Sequence, residues 1–319
     1  MSPLRRLTPF LKSCRLQIAG AIVALVISAG TVLALGQGLR LLIDRGFATG
    51  HPEVMDRALM ALLAAVCILA LATYGRFFLV SRIGERVIAD IRKALFSHIV
   101  RLSPAFFETH RTGDILSRLT VDTTVLQTVV GSSVSTALRN ILLFSGGAGL
   151  LMVTSPRLTS LVFVMVPLVV APILVLGRKV RRLSRSSQES VADVGARAEE
   201  VLSAIRTVQA FTREANEQER FAGTAEEAFD TAMHRVRLRA FLTALVILLA
   251  FGGVGLVLWV GGHDVLAGRM TSGQLSSFVF YAVVVAGSVG AISEVVGDLQ
   301  RAAGAAGRIF GLMDAQSDI

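Results

Sequence analysis

Six stretches of at least 17 residues contain no Asp, Glu, Lys, Arg or His: 16–39, 58–75, 140–156, 158–177, 240–262 and 270–293. A bilayer core of about 30 Å takes about 20 residues of α-helix, so each stretch reads as a membrane-spanning helix. The third is the shortest, and its helix is expected to start upstream near Val130 and to carry Arg139 inside it. Ser155, Pro156 and Arg157 separate it from the fourth as a tight turn, because proline cannot continue a hydrogen-bonded helix. Arg5, Arg6, Lys12 and Arg15 precede the first run, as basic residues precede the apolar core of a signal peptide. That core is only about 7–15 residues long, and the longer run here predicts an uncleaved first span.

The polar stretches between spans carry a periodicity of their own. Segments 76–129 and 178–239 are too long to be simple loops. In the first, Ile88, Ile91, Leu95, Ile99 and Leu102 recur every three or four residues; in the second, Val191, Val194, Ala198, Val201, Ile205 and Val208 do the same. Such stripes mark one apolar face of a helix. No proline follows Pro172, so spans four, five and six can continue unbroken beyond the membrane, while Pro167 and Pro172 are expected to bend span four. Each polar segment therefore predicts a helical hairpin reaching about 40 Å from the bilayer. The expected fold class is an all-α membrane protein with six transmembrane helices extended into long cytoplasmic helical hairpins. Its parts are a cytoplasmic N-terminal segment (1–15), a six-helix domain (16–300) containing both hairpins, and a linker (301–319).

Composition agrees with this pattern: 53% of residues are hydrophobic and 17% charged, against about 45–50% and about 25% in soluble domains. Aromatic residues make up only 6%, so a mean hydropathy of +0.65 comes from aliphatic side chains. A soluble enzyme is disfavoured. The net charge of +9 would suggest nucleic acid in a soluble chain, but here its distribution matters more. Arg76, Arg82, Arg86, Arg92 and Lys93, then Arg178, Lys179, Arg181, Arg182 and Arg185, then Arg235, Arg237 and Arg239 fall on the same side as the N-terminal cluster. Only Arg45, Arg57, Arg157 and Arg269 fall on the other. The positive-inside rule then predicts both termini and both hairpins in the cytoplasm, with the excess charge serving orientation and contact with the lipid bilayer rather than nucleic acid.

Each hairpin turns at a marked place. Leu102-Ser103-Pro104 ends one arm of the first, Ala105-Phe106-Phe107-Glu108 follows, and Thr112-Gly113-Asp114 opens the return arm, where Gly113 and Asp114 suit a turn and a cap. In the second, Thr207-Val208-Gln209-Ala210-Phe211-Thr212-Arg213-Glu214 holds the corresponding position. Exposed aromatic residues at such tips imply a covering partner, unless Phe106, Phe107 and Phe211 fold back on their own hairpins.

These residues carry a family resemblance. Arg101-Leu102-Ser103-Pro104, Phe106-Phe107, Arg111-Thr112-Gly113-Asp114, Ser117-Arg118-Leu119 and Asp122 resemble the first intracellular loop of ABC exporter transmembrane domains. Glu199-Glu200, Ile205 to Phe211 and Glu214 resemble the second loop. Gly273-Gln274-Leu275, Ala303, Ala306 and Arg308-Ile309-Phe310 resemble the sixth span and the segment that joins it to a nucleotide-binding domain. The resemblance implies a half-transporter of the bacterial inner (plasma) membrane that pairs with a second half-transporter as a homodimer. Spans four and five would reach across to the partner. The implied cargo is a hydrophobic or amphipathic substrate, and the implied mechanism is alternating access. It further implies that Phe106, Phe107, Glu108 and Gly113, with Val208, Gln209, Phe211, Arg213 and Glu214, couple to nucleotide-binding domains.

ATP and Mg are implied for those domains and not for this chain. A phosphate-binding loop needs a glycine-rich turn leading into Lys, and none of the three lysines, Lys12, Lys93 and Lys179, follows a glycine. The chain ends about where an ATPase domain is expected to begin. No catalytic residue is expected within it. Cys14 and Cys67 form no CxxC motif, and His51, His98, His110, His234 and His263 lack metal-binding spacing, so no metal site is expected.

Charges in or beside the spans are candidate pathway groups, because a charge facing lipid costs about 2.5–3.5 kcal/mol on insertion scales. Arg40 lies four residues before Asp44 near the outer end of span one and fits either a pathway role or a helix-end salt bridge. Arg139 precedes Thr154 by a helical distance of roughly 22 Å and either snorkels to the inner surface or lines a cavity. Glu294 and Asp298 share a face of span six and could attract cations, or simply solvate a helix end. The alternative function is a non-catalytic membrane scaffold or sensor with cytoplasmic signalling helices. A secondary transporter fits less well, since it would show midplane charges and glycine-broken helices in two halves.

Overall fold

The structure, a computed structural model, describes residues 3–47 and 52–315. Residues 48–51 between the first two spans, His51 among them, lie outside them. A short run of helical turns with α1 (Thr8–Leu11) at its middle leads into α2 (Arg15–Leu41), which widens into a π-helical segment at Leu42–Phe47. Then come α3 (Pro52–Ile99), α4 (Pro104–Thr109) and α5 (Thr112–Ser117). Helices α6 (Thr123–Thr128) and α7 (Val134–Thr154) follow, joined to α5 and to each other by π-helical segments Arg118–Asp122 and Val129–Ser133. The remainder is α8 (Pro156–Ser203), α9 (Ile205–Ala210), α10 (Glu214–Leu266) and α11 (Ser272–Met313).

Six rods among the described residues are long and apolar enough to cross a membrane: Arg5–Gly46, Glu53–Ile99, Thr112–Thr154, Pro156–Ser203, Glu214–Leu266 and Ser272–Met313. Helices α3 and α8 have 48 residues each and α10 has 53. At about 1.5 Å per residue they are about 70–80 Å long, more than twice the hydrocarbon thickness, so their polar halves must project from it. Ser155 alone separates α7 from α8, in an extended conformation that ends one helix before Pro156 begins the next. The third rod starts at Thr112, upstream of the expected Val130, because the return arm that opens at Thr112 runs through the two π-helical segments into the span without a break.

The chain forms two compact units, Met1–Pro156 with Gly262–Ile319, and Arg157–Gly261. In the first, the predicted stripe of α3 becomes the core: Ile88 is 1% exposed, Ile91 and Leu95 0%, Ile99 6% and Leu102 7%. They pack with Leu126, Val129 and the α11 residues Ala302, Ala306, Ile309 and Leu312. Each buried aliphatic side chain contributes about 1.5–3 kcal/mol, so this cluster anchors α3, the third rod and α11 outside the membrane. Gly84 permits a close backbone crossing, since a Cβ there would lie 2.7 Å from the Cα of Gly131.

The second unit is the hairpin α8–α9–α10. Its stripe is helical as expected but only partly covered: Val194, Ala198, Val201 and Val208 are half-buried, whereas Val191 is 61% exposed and Ile205 37%. Pro167 and Pro172 lie within the continuous helix α8.

Candidate functional site

The first hairpin tip is built by Ser103, whose extended backbone and following Pro104 start α4 as a fresh helix. The Phe106 amide donates to the Ser103 carbonyl at 3.0 Å, and the Thr109 hydroxyl and His110 amide both donate back to the Phe106 carbonyl, also at 3.0 Å. Phe106 stacks on His110 with ring centroids 4.1 Å apart and meets Phe107 edge-on at 5.6 Å. The two rings therefore part company. Phe106 packs against its own unit's core, whereas Phe107 remains 42% exposed. Glu108 and Gly113 are exposed beside it, Gly113 at the start of α5.

At the second tip, α9 is a short helix bounded by the irregular residues Ala204 and Phe211. Phe211 is 71% exposed. Gln209, Arg213 and Glu214 surround it at the surface, with Val208 half-buried. Thr212 turns the chain into α10 with φ of +50°, a left-handed conformation unusual for a β-branched residue, and the Arg213 amide closes the turn on the Val208 carbonyl at 2.9 Å. Just behind the tip, Arg197 of α8 donates to Glu200 at 2.9 Å and across to Glu217 of α10 at 2.6 Å. This clamp ties the arms together where the tip begins.

Polar contacts connect the first hairpin to α11. Asp122, 6% exposed, accepts two hydrogen bonds from Arg308 at 2.6 and 2.9 Å, and this pairing holds the Arg308 guanidinium charged beyond its ordinary range. Arg92 donates to Thr123 at 2.9 Å. Beyond α11, Asp314 accepts from Arg6 at 2.6 and 2.7 Å, Arg6 lies over the Phe310 ring, and His98 meets the Ala315 carbonyl at 3.0 Å. The hydrogen bond from Arg6 keeps the Asp314 carboxyl below its usual range.

The membrane charges occupy different settings. Arg40 sits 3.6 Å from Asp44, as the salt-bridge reading expects. Asp44 does more than that, accepting from the Thr271 hydroxyl at 2.7 Å and the Gly273 amide at 2.9 Å at the start of α11. Thr271 and Gln274 form a reciprocal capping box there. Asp298 accepts from Ser133 at 2.8 Å and pairs with Arg301, so its carboxylate is already engaged. Glu294 is exposed, in the middle of α11, and Arg139 is half-buried on α7. Among the described residues, no group of three or more His, Cys, Asp and Glu side chains could hold a metal ion.

Six apolar rods and two projecting hairpins are also the hallmarks of a known family. Residues 18–289 match the family described as ABC transporter transmembrane region. The chain belongs to that family. It is 27% identical over 311 residues to a "Putative export ATP-binding/permease protein" of Rickettsia felis, covering 98% of this chain and 54% of that protein. It is 33% identical over 276 residues to "ATP-binding cassette sub-family B member 10, mitochondrial" of Mus musculus, covering 84% and 37%. With "ATP-dependent permease MDL1, mitochondrial" of Schizosaccharomyces pombe the identity is 30% over 309 residues, covering 95% and 42%. The chain thus spans about half or less of these curated relatives. It is an integral, multi-pass ABC transporter transmembrane region with an all-α fold.

Several ties escaped the sequence reading. The partners of Asp44 and Asp122 are more than 180 residues away along the chain, and no local pattern announces such pairs. The capping box could have been found, because Thr271 followed three residues later by Gln274 ahead of an apolar run is its signature.

Proposed function

We propose that this chain is the translocation half of an ATP-driven exporter that alternates between inward-open and outward-open states. Nucleotide-binding domains would drive it through the two hairpin tips. The observation that carries this reading is Phe211, a large aromatic side chain left 71% exposed at the end of a two-helix lever clamped by Arg197. Burial of such a side chain in a partner's pocket is the kind of contact that forms an interface hot spot. Phe107 offers a second, smaller anchor, while Phe106 serves its own hairpin. Long helices moved at their tips turn as rigid bodies and carry that motion into the membrane.

The partly covered stripe of α8, with Val191 exposed, supports pairing with a second copy, and the cation distribution supports cytoplasmic termini and hairpins in a bacterial inner membrane. The cargo inferred is hydrophobic or amphipathic. ATP and Mg would bind the nucleotide-binding domains and supply phosphoryl chemistry there; the residues present here form no phosphate loop. Arg40 and Asp298, already bonded, act as parts of the framework, which leaves Arg139 and Glu294 as the freer pathway groups.

The test is Phe211→Ala in the protein assembled with its nucleotide-binding partner. Loss of a hot-spot contact costs about 2 kcal/mol or more of docking, so substrate-stimulated ATP hydrolysis and transport should fall at least tenfold. The melting temperature and ATP binding should not change. A variant that melts lower yet stays fully stimulated by substrate would place Phe211 in its own hairpin and remove this reading.

A further inference from the structure

Arg76 of α3 and Arg139 of α7 each keep a buried Nε with no hydrogen-bond partner among the described residues. One terminal nitrogen of Arg76 donates to the Ser135 hydroxyl at 2.9 Å, and Ser135 lies one helical turn before Arg139 on α7. That hydrogen bond brings the Arg76 guanidinium to α7 within one helical turn of Arg139. No ion pair or hydrogen bond engages Arg139 among the described residues. The neighbouring acids do not neutralise the pair: Asp298 is bonded to Ser133 and Arg301, and Glu294 is paired with neither arginine.

Arginine cannot escape such a position by losing its proton. Two like charges with buried, unpaired N–H groups are therefore a costly arrangement for the chain alone, and independent snorkelling would not bring them together. Depth identifies what would relieve it. Arg139 lies roughly 22 Å from the outer end of α7, and Arg76 roughly 27 Å from the outer start of its apolar run, by helical rise. In a hydrocarbon core of about 30 Å both approach the opposite boundary, which the cation distribution assigns to the inner leaflet. Phe77, Phe78, Leu138 and Ile141, beside the pair in sequence, are exposed apolar side chains suited to acyl chains.

The geometry points to a binding site in which Arg76 and Arg139 together hold the anionic oxygen atoms of an amphiphile's phosphate or carboxylate headgroup. Two forked guanidinium groups match such a headgroup, which brings both negative charge and several acceptors. Water would satisfy the N–H groups but leave the repulsion in place. Binding requires no ATP and no transport step, so this inference can fail while the exporter reading stands, and the reverse.

The experiment is thermal unfolding of the purified protein in neutral detergent, titrated with phosphatidic acid, with phosphatidylcholine of the same acyl chains, and with inorganic phosphate. Phosphatidic acid should raise the melting temperature saturably, and the other two should not. Arg139→Gln should melt higher than the wild type without ligand, because repulsion is removed, and should weaken the phosphatidic acid effect at least tenfold in concentration. Arg76→Gln should weaken it similarly, whereas Arg185→Gln, at an exposed position, should retain it. Equal shifts in wild type and Arg139→Gln, or with phosphatidylcholine, would overturn the site. So would a lower ligand-free melting temperature in Arg139→Gln, since Arg139 would then have a structural partner. A shift produced by inorganic phosphate alone would overturn the amphiphile as ligand. If Arg76→Gln does not fold, Arg139→Gln alone decides the matter.

Discussion

Asp44 ties the end of the first span to the start of the last with one carboxylate. It faces Arg40 on its own helix and receives the Thr271 hydroxyl and Gly273 amide at the start of α11. The first amides of a helix have no intrahelical acceptor, so an anion there is favoured both by hydrogen bonding and by the helix dipole. Gly273 is required by the closeness of this contact, because a Cβ would stand 2.5 Å from the Arg40 carbonyl oxygen and 2.6 Å from the Asp44 carboxyl carbon. Gly273→Ala is therefore expected to destabilise the protein by about 1–3 kcal/mol, the usual cost of forced overpacking, seen as a lower melting temperature in detergent. Arg6 and Asp314 make a weaker tie, being 43% and 57% exposed. The carboxyl of Asp314 is held below its ordinary value near 3.8. A depressed carboxyl favours the folded contact above its unfolded value and loses that contribution as pH falls through the folded one. Docking of the N-terminal turns onto the end of α11 should hold from neutral pH to below pH 3.8 and then release. Hydrogen exchange at residues 5–11 measures this; Asp314→Asn should show the released pattern already at pH 7.

The long helices were the most legible elements, because an apolar run of membrane length and a three-four stripe are strong local signals. The stripe of α3 predicted its buried face from Ile88 to Leu102. The stripe of α8 predicted a helix face equally well but not its covering, since burial depends on a neighbour and the second unit supplies none for Val191. The hairpin tips were placed from Ser103-Pro104 and from the run Thr207 to Glu214, and α4 and α9 occupy those places. What the residues could not reveal was the difference between Phe106 and Phe107. Adjacent residues on a short helix point in different directions, and only packing decides that Phe106 stacks on His110. The π-helical segments were invisible for a similar reason, as Arg118–Asp122 carries neither glycine nor proline and Val129–Ser133 only the single Gly131. Paired charges were legible only when close in sequence, as with Arg40 and Asp44; the Asp122–Arg308 and Asp44–Thr271 ties arise from tertiary folding.

The exporter reading requires that six crossings put both hairpin tips on the side where nucleotide-binding domains stand. Charge asymmetry and rod length both support that arrangement, and the meeting of Arg6 with Asp314 supports termini on one side. Single cysteines read by a membrane-impermeant thiol reagent test it most directly, after Cys14 and Cys67 are replaced by serine. Cysteine at His263, exposed in the last turns of α10, should react in intact cells. Cysteines at His110 and Asn216, exposed beside the two tips, should react only after the cells are opened. Reaction of His110→Cys or Asn216→Cys in intact cells, with His263→Cys protected, would contradict the account.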